Sequence, residues 1–457
     1  MLLHDELCGR ACTVLGLGIS NLPLIDILLE NGATVEARDQ KPFDPENPRF
    51  ADWQARGVRF VCGERYLSGI KCDILFRSPG IRPDLPEISA ALAGGARLSS
   101  EMELFFEHCP AKIFAVTGSD GKTTTTTLTA LLLTAAAEAE GKGRRVFLGG
   151  NIGTPLLPRL SEMRAEDFAV VELSSFQLMT MQKSADFAAV TNITPNHLNW
   201  HVDMEEYTAA KLNVFSHGAK TVVLNADNPL TAAHLNADRI AFSSTKSPSE
   251  MVGRIKIYDE DGYIKVNGAP YLALSDIQLP GRHNIENYMT AIGLTLDYIT
   301  PAIAKKVAAT FFGVEHRIEY VRTACGVRYY NSSIDSSPSR TIAALRSFAE
   351  KPIVICGGRD KHVPFDALAD ELYTRAKALV LTGEAAPQIA AAMQKSSCRR
   401  DDFPIITKED FRDAVEAAKS LAADGDTVLL SPACTSFDAF KNFEERGRRF
   451  KDIVNAF

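Results

Sequence analysis

Residues 116–128 read VTGSDGKTTTTTL, two glycines, a lysine and a run of five consecutive threonines set between the apolar run KIFAV and the helix-like run LTALLLTAAAEAE. A strand that ends in glycines ahead of a helix leaves backbone N–H groups unpaired. It also aims the positive end of the helix dipole, roughly half a charge, at whatever lies there. Gly118 and Gly121 let the backbone wrap closely around an anion, Lys122 adds a point charge, and Thr123 offers a hydroxyl to a phosphate-bound Mg²⁺. The chemistry that suits this spacing is nucleoside triphosphate binding. The pattern departs from the full GxxxxGK[ST] form, because Val116 stands where its first glycine would be. The early threonines can serve metal, phosphate or the orphan N–H groups of a helix start. The later ones are expected only to tolerate the first turns, since β-branching makes threonine a mediocre helix former.

Three further residues could do chemistry beside this loop. DFAVVELSSFQL ends an apolar strand on Glu172, NITPNHLNWH places His197 just past another, and EEYTAAKLNVF carries Lys211 on a helix. Taken singly they are ordinary: a strand-end glutamate in solvent, a structural loop histidine, an exposed helix lysine. Together at neighbouring strand ends beside a phosphate loop they gain weight, because that edge is where open α/β sheets bind ligands. His197 and His201 lie at i, i+4, but the glutamate of an HExxH zinc site is missing. Cys8 and Cys12 have no second pair with which to hold a metal.

The elements that must position these residues follow from the hydrophobic pattern. ACTVLGLG, NLPLIDILLENG and TVEARD read as strand, Gly-turn, helix and strand, a βαβ unit, and CDILFRSPGI repeats the strand with a Ser-Pro-Gly turn. After Pro110 the strand–loop–helix order restarts, and KIFAVT, DFAVVE, FAAVTN and KTVVLN alternate with helices, predicting a larger parallel sheet. Beyond FFGVEHR a third set begins with IVICGGRDK, ALVLTGEA and TVLLSPACTS. The prediction is an α/β protein of three domains, 1–109, 110–312 and 313–457. The first and last are Rossmann-like, and the middle one is a P-loop-type ATPase domain with a mostly parallel sheet. Length allows this at about 150 residues per domain. A composition of 46% hydrophobic and 23% charged residues suits a globular protein. The net charge of −7 argues against nucleic acid as a partner. No run approaches a membrane span, MLLHDELCGR is not a secretory signal, and nine scattered cysteines suit free thiols in a reducing cytoplasm.

TGSDGKTT, GGNIG, ELSSFQL, the histidine followed by AAK, GRHNIENYMTA, VEHR, GGRDK and LSPACTSFDAFKNFEERG occur in this order across nearly the whole chain. As an ordered set they resemble the ATP-dependent Mur ligases of peptidoglycan synthesis. The closing motif and the short GLGIS domain are most similar to the members that add D-glutamate. The resemblance implies domains for UDP, ATP and the incoming amino acid, and a monomer acting on small molecules. The implied reaction activates the carboxylate of UDP-N-acetylmuramoyl-L-alanine as an acyl phosphate, which the amine of D-glutamate then attacks through a tetrahedral intermediate. By position, Gly118, Ser119, Asp120, Gly121, Lys122, Thr123 and Thr124 correspond to the ATP loop, with Thr123 on Mg²⁺. Glu172 and His197 correspond to a second Mg²⁺ site (Mn²⁺ being an alternative ion), and Lys211 to a lysine carbamylated by CO₂. Lys122, His197 and Lys211 are thereby the implied catalytic residues. Asn284, Asn287, His316 and Arg317 correspond to residues around adenosine and phosphate. Asn151 corresponds to a sugar-nucleotide contact, and Ile19, Ser20, Asp39, Gln40, Lys41, Ser78, Pro79 and Gly80 to the UDP pocket. Lys361, Ser436 and Phe443 fall where D-glutamate is held.

One stretch departs from the family pattern. NSSIDSSPSRT, residues 331–341, stands where many relatives carry Asp-Ser-Lys-Ala-Thr-Asn. In ungapped register Ser332 replaces the acid, Ile334 the lysine and Ser336 the threonine that contacts substrate. Asp335 and Arg340 are the candidates to restore the lost charges. Rival readings are a sister ligase with another acceptor, a non-catalytic nucleotide-binding regulator, and a dinucleotide oxidoreductase built on GLGISN. The last has Asn21 where the third glycine of the fingerprint belongs.

Overall fold

The computed structural model describes residues 3–43, 46–360 and 363–457. Among them the strands form three sheets. The first holds β1 (Ala11–Leu15), β2 (Thr34–Asp39), β3 (Arg59–Cys62), β4 (Ile74–Arg77) and β5 (Arg97–Ser99) in the order β3-β2-β1-β4-β5, all parallel. The direction of winding reverses between β1 and β4, so the turn at Gly16 and the Ser78-Pro79-Gly80 turn face each other at the switch point. Gly16 has φ +83°, and a Cβ there would lie 2.8 Å from Ser78 Cβ.

The second sheet holds β6 (Lys112–Thr117), β7 (Val146–Gly150), β8 (Phe168–Glu172), β9 (Phe187–Val190), β10 (Thr221–Asn225), β11 (Ile240–Ser243), β12 (Ile255–Glu260), β13 (Tyr263–Val266) and β14 (Ala269–Ala273). Its order is β14-β13-β12-β11-β10-β9-β6-β8-β7, parallel from β7 through β12 and antiparallel in the last two pairings. The antiparallel edge arises from Asp261-Gly262 and Asn267-Gly268, each with both residues at positive φ, the two-residue hairpin turns that fit strand twist. β6 lies between β9 and β8, with Val116 opposite Glu172 and Thr117 opposite Val190. The loop that leaves β6 is therefore flanked by the two strand ends that carry Glu172 and lead to His197.

The third sheet holds β15 (Glu319–Ala324), β16 (Val327–Asn331), β17 (Ile353–Gly357), β18 (Ala378–Thr382), β19 (Ile405–Thr407) and β20 (Thr427–Leu430) in the order β15-β16-β20-β17-β18-β19, parallel except for β15 against β16. By contact density the chain divides into two compact units, Met1–Asp276 with His283–Ala309, and Ile277–Arg282 with Thr310–Phe457. The first two sheets lie in the first unit and share one apolar cluster, from Leu7, Val14 and Trp53 through Phe105 and Phe106 to Phe147, Leu157 and Met181. No helix among the described residues is long and apolar enough to cross a membrane.

The helix Lys122–Glu140 answers the threonine run. Thr126, Thr127, Thr129 and Thr134 each return their hydroxyl to the carbonyl one turn back, at 2.8 Å. The later threonines therefore do more than tolerate the helix: each satisfies its hydroxyl on the helix's own backbone, which lets Thr126 and Thr129 be buried. Under β6, the fully buried Phe114 ring stacks on Phe187 at 4.3 Å and meets Phe168 edge-on at 5.3 Å. Phe114→Ala is expected to lower stability by about 3–5 kcal/mol, the cost of an emptied aromatic site, read as an earlier denaturant midpoint for the first unit.

Candidate active site

Gly118 and Gly121 shape the loop between β6 and the Lys122–Glu140 helix. Gly118 has φ +150°, and a Cβ there would overlap Thr191 Oγ1; Gly121 has φ +79°, and its Cβ would overlap Asn287 Oδ1. Both positions therefore require glycine for backbone conformation and for space. The loop is tied down from outside itself. Ser119 Oγ lies 2.9 Å from Tyr207 Oη and 3.0 Å from the Thr194 carbonyl, Asn192 Oδ1 accepts from Asp120 N–H at 2.9 Å, and Thr191 Oγ1 donates to the Asp120 carbonyl at 2.6 Å. Lys122 Nζ folds onto the Gly118 and Ser119 carbonyls at 2.9 and 3.0 Å. Thr125 donates to Asn287 Oδ1, and Asn287 Nδ2 to Asn284 Oδ1, so the two asparagines brace the start of the phosphate-loop helix. The hydroxyls of Thr123 and Thr124 have no protein partner among the described residues, unlike those further along the helix.

Lys211 is not the exposed helix lysine that the sequence suggests. Only 1% of it is accessible, its Nζ donates to the Gly118 carbonyl at 2.6 Å and rests 4.7 Å from the Tyr207 ring centre. Burial, reinforced by the charge of Lys122, pushes its pKa down to about 6. Glu172 is likewise buried. Its Oε1 accepts from Asn151 Nδ2 at 2.8 Å, while Oε2, fully shielded, has no donor. A buried carboxylate oxygen without a donor is rare and calls for a cation. Asn151 is held in turn by its N–H to the Glu172 carbonyl at 2.8 Å, and Gly150, at φ +94°, has no room for a Cβ against that same carbonyl. His197 stands at φ +56° on an exposed loop, edge-on to Phe176 at 4.9 Å. Desolvation, then the charge of Lys122, lowers its pKa, which favours the neutral imidazole that a metal ligand requires. The donor set fits a hard divalent ion: an orphan carboxylate oxygen, a hydroxyl on Thr123, a neutral imidazole, and an amine that can be converted to an oxygen ligand. His201 is different. Both ring nitrogens are used, one 3.0 Å from Glu206 Oε1 and the other 2.9 Å from Ser175 Oγ.

The predicted UDP residues gather at the switch point of the first sheet. Asp39 ends β2 with Oδ2 accepting from Leu17 N–H and Oδ1 from Lys41 N–H at 2.8 Å. Gln40 and Lys41 are exposed, and Ile19, 79% accessible, presents an apolar surface beside Ser20 at a helix start. The Ser78-Pro79-Gly80 turn is held by Arg77, a buried cation whose Nη1 caps the carbonyls of Ser78, Pro79 and Ile81, and whose Nη2 reaches the Phe176 carbonyl and Thr180. Trp200 Nε1 donates to the Gly80 carbonyl at 3.1 Å, and Arg82 reaches Glu206 at 2.9 Å and stacks on Trp200. The Ser78–Gly80 turn and the His197 loop are thus clasped within one unit.

The remaining predicted residues belong to the second unit. His316, at φ +65° and buried, has Nδ1 2.9 Å from Asn331 Nδ2, and its Nε2 makes no hydrogen bond but lies 3.7 Å from Glu315 Oε1. Arg317 follows it and acts electrostatically on Asp335. Phe443 lies edge-on to His316 at 5.9 Å, and its carbonyl accepts from Ser333 Oγ at 2.8 Å. Ser436 is buried, and Ser336 half-buried. Asp335, the candidate replacement acid, is buried on Ser431 Oγ at 2.8 Å, and burial raises its pKa to about 6. Arg340 donates to the Ile334 carbonyl. Lys361 lies outside the described residues.

Residues 116–295 match the Mur ligase middle domain, and residues 316–434 the Mur ligase glutamate ligase domain. A UDP-N-acetylmuramoylalanine–D-glutamate ligase of Acetivibrio thermocellus is 46% identical over 460 residues, covering 98% of this chain and 97% of its own. One from Ruminiclostridium cellulolyticum is 44% identical with the same coverage. The chain belongs to the Mur ligase family.

Two solved structures share its fold. UDP-N-acetylmuramate-alanine ligase MurC of Thermotoga maritima aligns over 98% of this chain and 99% of its own at a TM-score of 0.57 and 20% identity. A pseudomurein peptide ligase type C from Methanothermus fervidus aligns over 98% and 100% at 0.52 and 16%. Reading this Mur ligase as a string missed Tyr207, Arg77 and the Arg82–Glu206 pair. Tyr207 could have been found, since it precedes Lys211 by one helical turn in EEYTAAK. Burying the Lys211 amine costs this ligase stability, because the unfolded chain keeps the proton to a higher pH. The native state is therefore increasingly disfavoured as pH falls from the ordinary lysine range to about 6. Lys211→Met is expected to raise the melting temperature at pH 7 while eliminating turnover, checked by thermal denaturation and phosphate release.

Proposed function

We propose that this chain joins D-glutamate to UDP-N-acetylmuramoyl-L-alanine with ATP, releasing ADP and phosphate. The alanyl carboxylate oxygen attacks the γ-phosphorus, the bond to the ADP oxygen breaks, and an acyl phosphate forms. The D-glutamate amine then adds to the carbonyl carbon, loses a proton, and phosphate departs with the former carboxylate oxygen. The observation that carries the reading is the cluster around Gly118. A phosphate-loop lysine, a buried neutral-leaning lysine and a buried carboxylate with one unpaired oxygen meet at adjacent strand ends.

Lys122 and the loop N–H groups hold the phosphates and keep the reacting oxygens apart from water. Thr123, Glu172, His197 and a carbamylated Lys211 would hold Mg²⁺, which when bound neutralises charge between the phosphates and the carboxylate. Lys211 suits carbamylation because a neutral amine can add to CO₂ with loss of one proton, turning a cation into an oxygen-bearing anion. Asn284 and Asn287, with His316 and Arg317, serve the nucleotide. Asn151 and the Ile19–Ser20, Asp39–Lys41 and Ser78–Gly80 turns serve the sugar nucleotide, and Ser336, Lys361, Ser436 and Phe443 the acceptor. The nine cysteines are all free, which supports work in a reducing cytoplasm; the proposed substrates are small molecules and the proposed working form is a monomer.

With MgATP and UDP-N-acetylmuramoyl-L-alanine, phosphate release is expected with D-glutamate and not with L-glutamate, L-alanine, L-lysine or meso-diaminopimelate; turnover with one of those instead overturns the acceptor. Lys122→Ala is expected to lower kcat by two or more orders of magnitude, with near-normal kcat sinking the phosphate-loop role. Lys211→Arg keeps a long basic side chain but cannot be carbamylated, so it should be inactive; normal turnover in that variant refutes the carbamate.

A further inference from the structure

The loop that follows β16 has serine at 332, where many relatives of this family carry an acid, and its own acid at 335. In space the two positions are adjacent. Ser332 is fully buried, its Oγ accepts from Ile318 N–H at 3.2 Å, and its hydroxyl also hydrogen-bonds the Asp335 carboxylate. Asp335 is 6% accessible, its Oδ2 accepts from Ser431 Oγ at 2.8 Å, and its N–H closes a turn onto the Ser332 carbonyl at 3.0 Å. A shift of three residues in sequence has become one layer in depth, with the carboxylate standing behind a serine hydroxyl. The charged groups that act on this carboxylate are Arg317, Arg340 and Arg446, and the buried thiol of Cys356 also faces it. Arg446, itself buried, reaches Ser333 Oγ at 3.0 Å, whereas Arg340 is exposed and donates to the Ile334 carbonyl of its own loop at 3.1 Å.

The loop grips the segment that carries His316 and Arg317. His316 at φ +65° and Ile318 at φ +45° are both left-handed, which for a β-branched residue is a genuine outlier. Backbone of this kind persists only where its surroundings fix it. Three of the fixing contacts come from the loop: Asn331 Nδ2 on His316 Nδ1 at 2.9 Å, Ile334 N–H on the His316 carbonyl at 3.1 Å, and Ser332 Oγ on Ile318 N–H. From the other side a Cβ on Gly447 would overlap His316 Nδ1, so the Phe443–Asn455 helix leaves the ring no room to retreat. Arg317 lies between the two strained residues, and its course follows the backbone that the loop pins.

We propose that Asp335 is a positioning residue of this ligase: it orients the Ser332 hydroxyl against Ile318 N–H and so holds His316 and Arg317 in the conformation that serves the nucleotide. The inference rests on the assignment of those two residues to the nucleotide. A serine hydroxyl has one proton and two lone pairs. While the carboxylate takes the proton, the lone pairs stay turned to the Ile318 N–H. Without the carboxylate the hydroxyl is free to rotate, and a buried N–H is left without a dependable acceptor. An acid at 332 would meet the same N–H directly, so the two arrangements are equivalent in effect.

The test is calorimetric titration of the full chain with MgADP, a probe that needs no acceptor amino acid, with circular dichroism to show that each variant is folded. Asp335→Asn keeps the shape and removes the charge, and it is expected to weaken MgADP about tenfold, with KM for ATP rising to match. Ser332→Ala, which breaks the relay and leaves the acid, should weaken MgADP by a similar factor. Adding Ser332→Asp to Asp335→Asn returns the acid to the register of the relatives and should restore affinity to within about threefold of the parent chain. On an Arg317→Ala background Asp335→Asn should cost less than about twofold, because its effect passes through the residue already removed. Unchanged or tighter MgADP binding in Asp335→Asn, no recovery with Ser332→Asp, or a full further loss on the Arg317→Ala background would each overturn the inference and leave the nucleotide site standing. A parent chain that binds no MgADP would overturn the nucleotide reading and this inference with it.

Discussion

Two lysine side chains donate to one carbonyl oxygen, that of Gly118, and much of the first unit is arranged around this crowding. Two ammonium groups at one acceptor repel each other, and the one with less water loses its proton first. Lys211 is that one. Its neutral state in turn leaves the Glu172 carboxylate without a nearby partner cation of its own, with one oxygen unpaired. In the proposed reaction, anionic phosphates would answer the two lysines and a divalent ion the unpaired Glu172 oxygen. Preorganisation here means a site that is costly when empty and relaxed when filled.

The rest of the first unit holds these groups in place. β6 carries the loop between β8 and β9, so Glu172 and the His197 loop flank it by strand order alone. Glycines at 118, 121 and 150 remove the side chains that would block the approach. Arg77 and Arg82 then tie the Ser78–Gly80 turn to the segment 176–206. Arg82 and Glu206 are partly exposed, so their attraction alone contributes little. Its effect is geometric, because Glu206, pulled down to a pKa of about 2 by Arg82, also fixes His201 four residues after His197.

The fold was legible wherever a strand had to be buried on both faces: FAVVE, FAAV and IVICG are apolar because parallel strands with helices on both sides leave no wet face. The antiparallel edges β13, β14 and β15 were not read, since short half-polar strands carry little pattern and depend on their hairpin turns. Motifs made of glycine and charge, such as GSDGKT, could be placed from order alone. What the string could not convey was burial. Lys211 and Glu172 look like surface residues because nothing local distinguishes an exposed helix lysine from one roofed by a tyrosine and a distant loop. Arg446 was hidden for the same reason, lying in a charged run, FEERGRR, where only one of three arginines turns inward.

The apolar cluster shared by the first two sheets bears on the order in which the chain is made. The Glu101–His108 helix buries Met102, Leu104, Phe105 and Phe106, and the turn Leu157–Glu162 packs on it and on the Asn21–Glu30 helix. That turn is synthesised some fifty residues after the helix it covers. During translation the amino-terminal sheet therefore emerges with its own strands paired but with an aromatic face still wet. A fragment cut before that turn would leave the face it covers without its native partner.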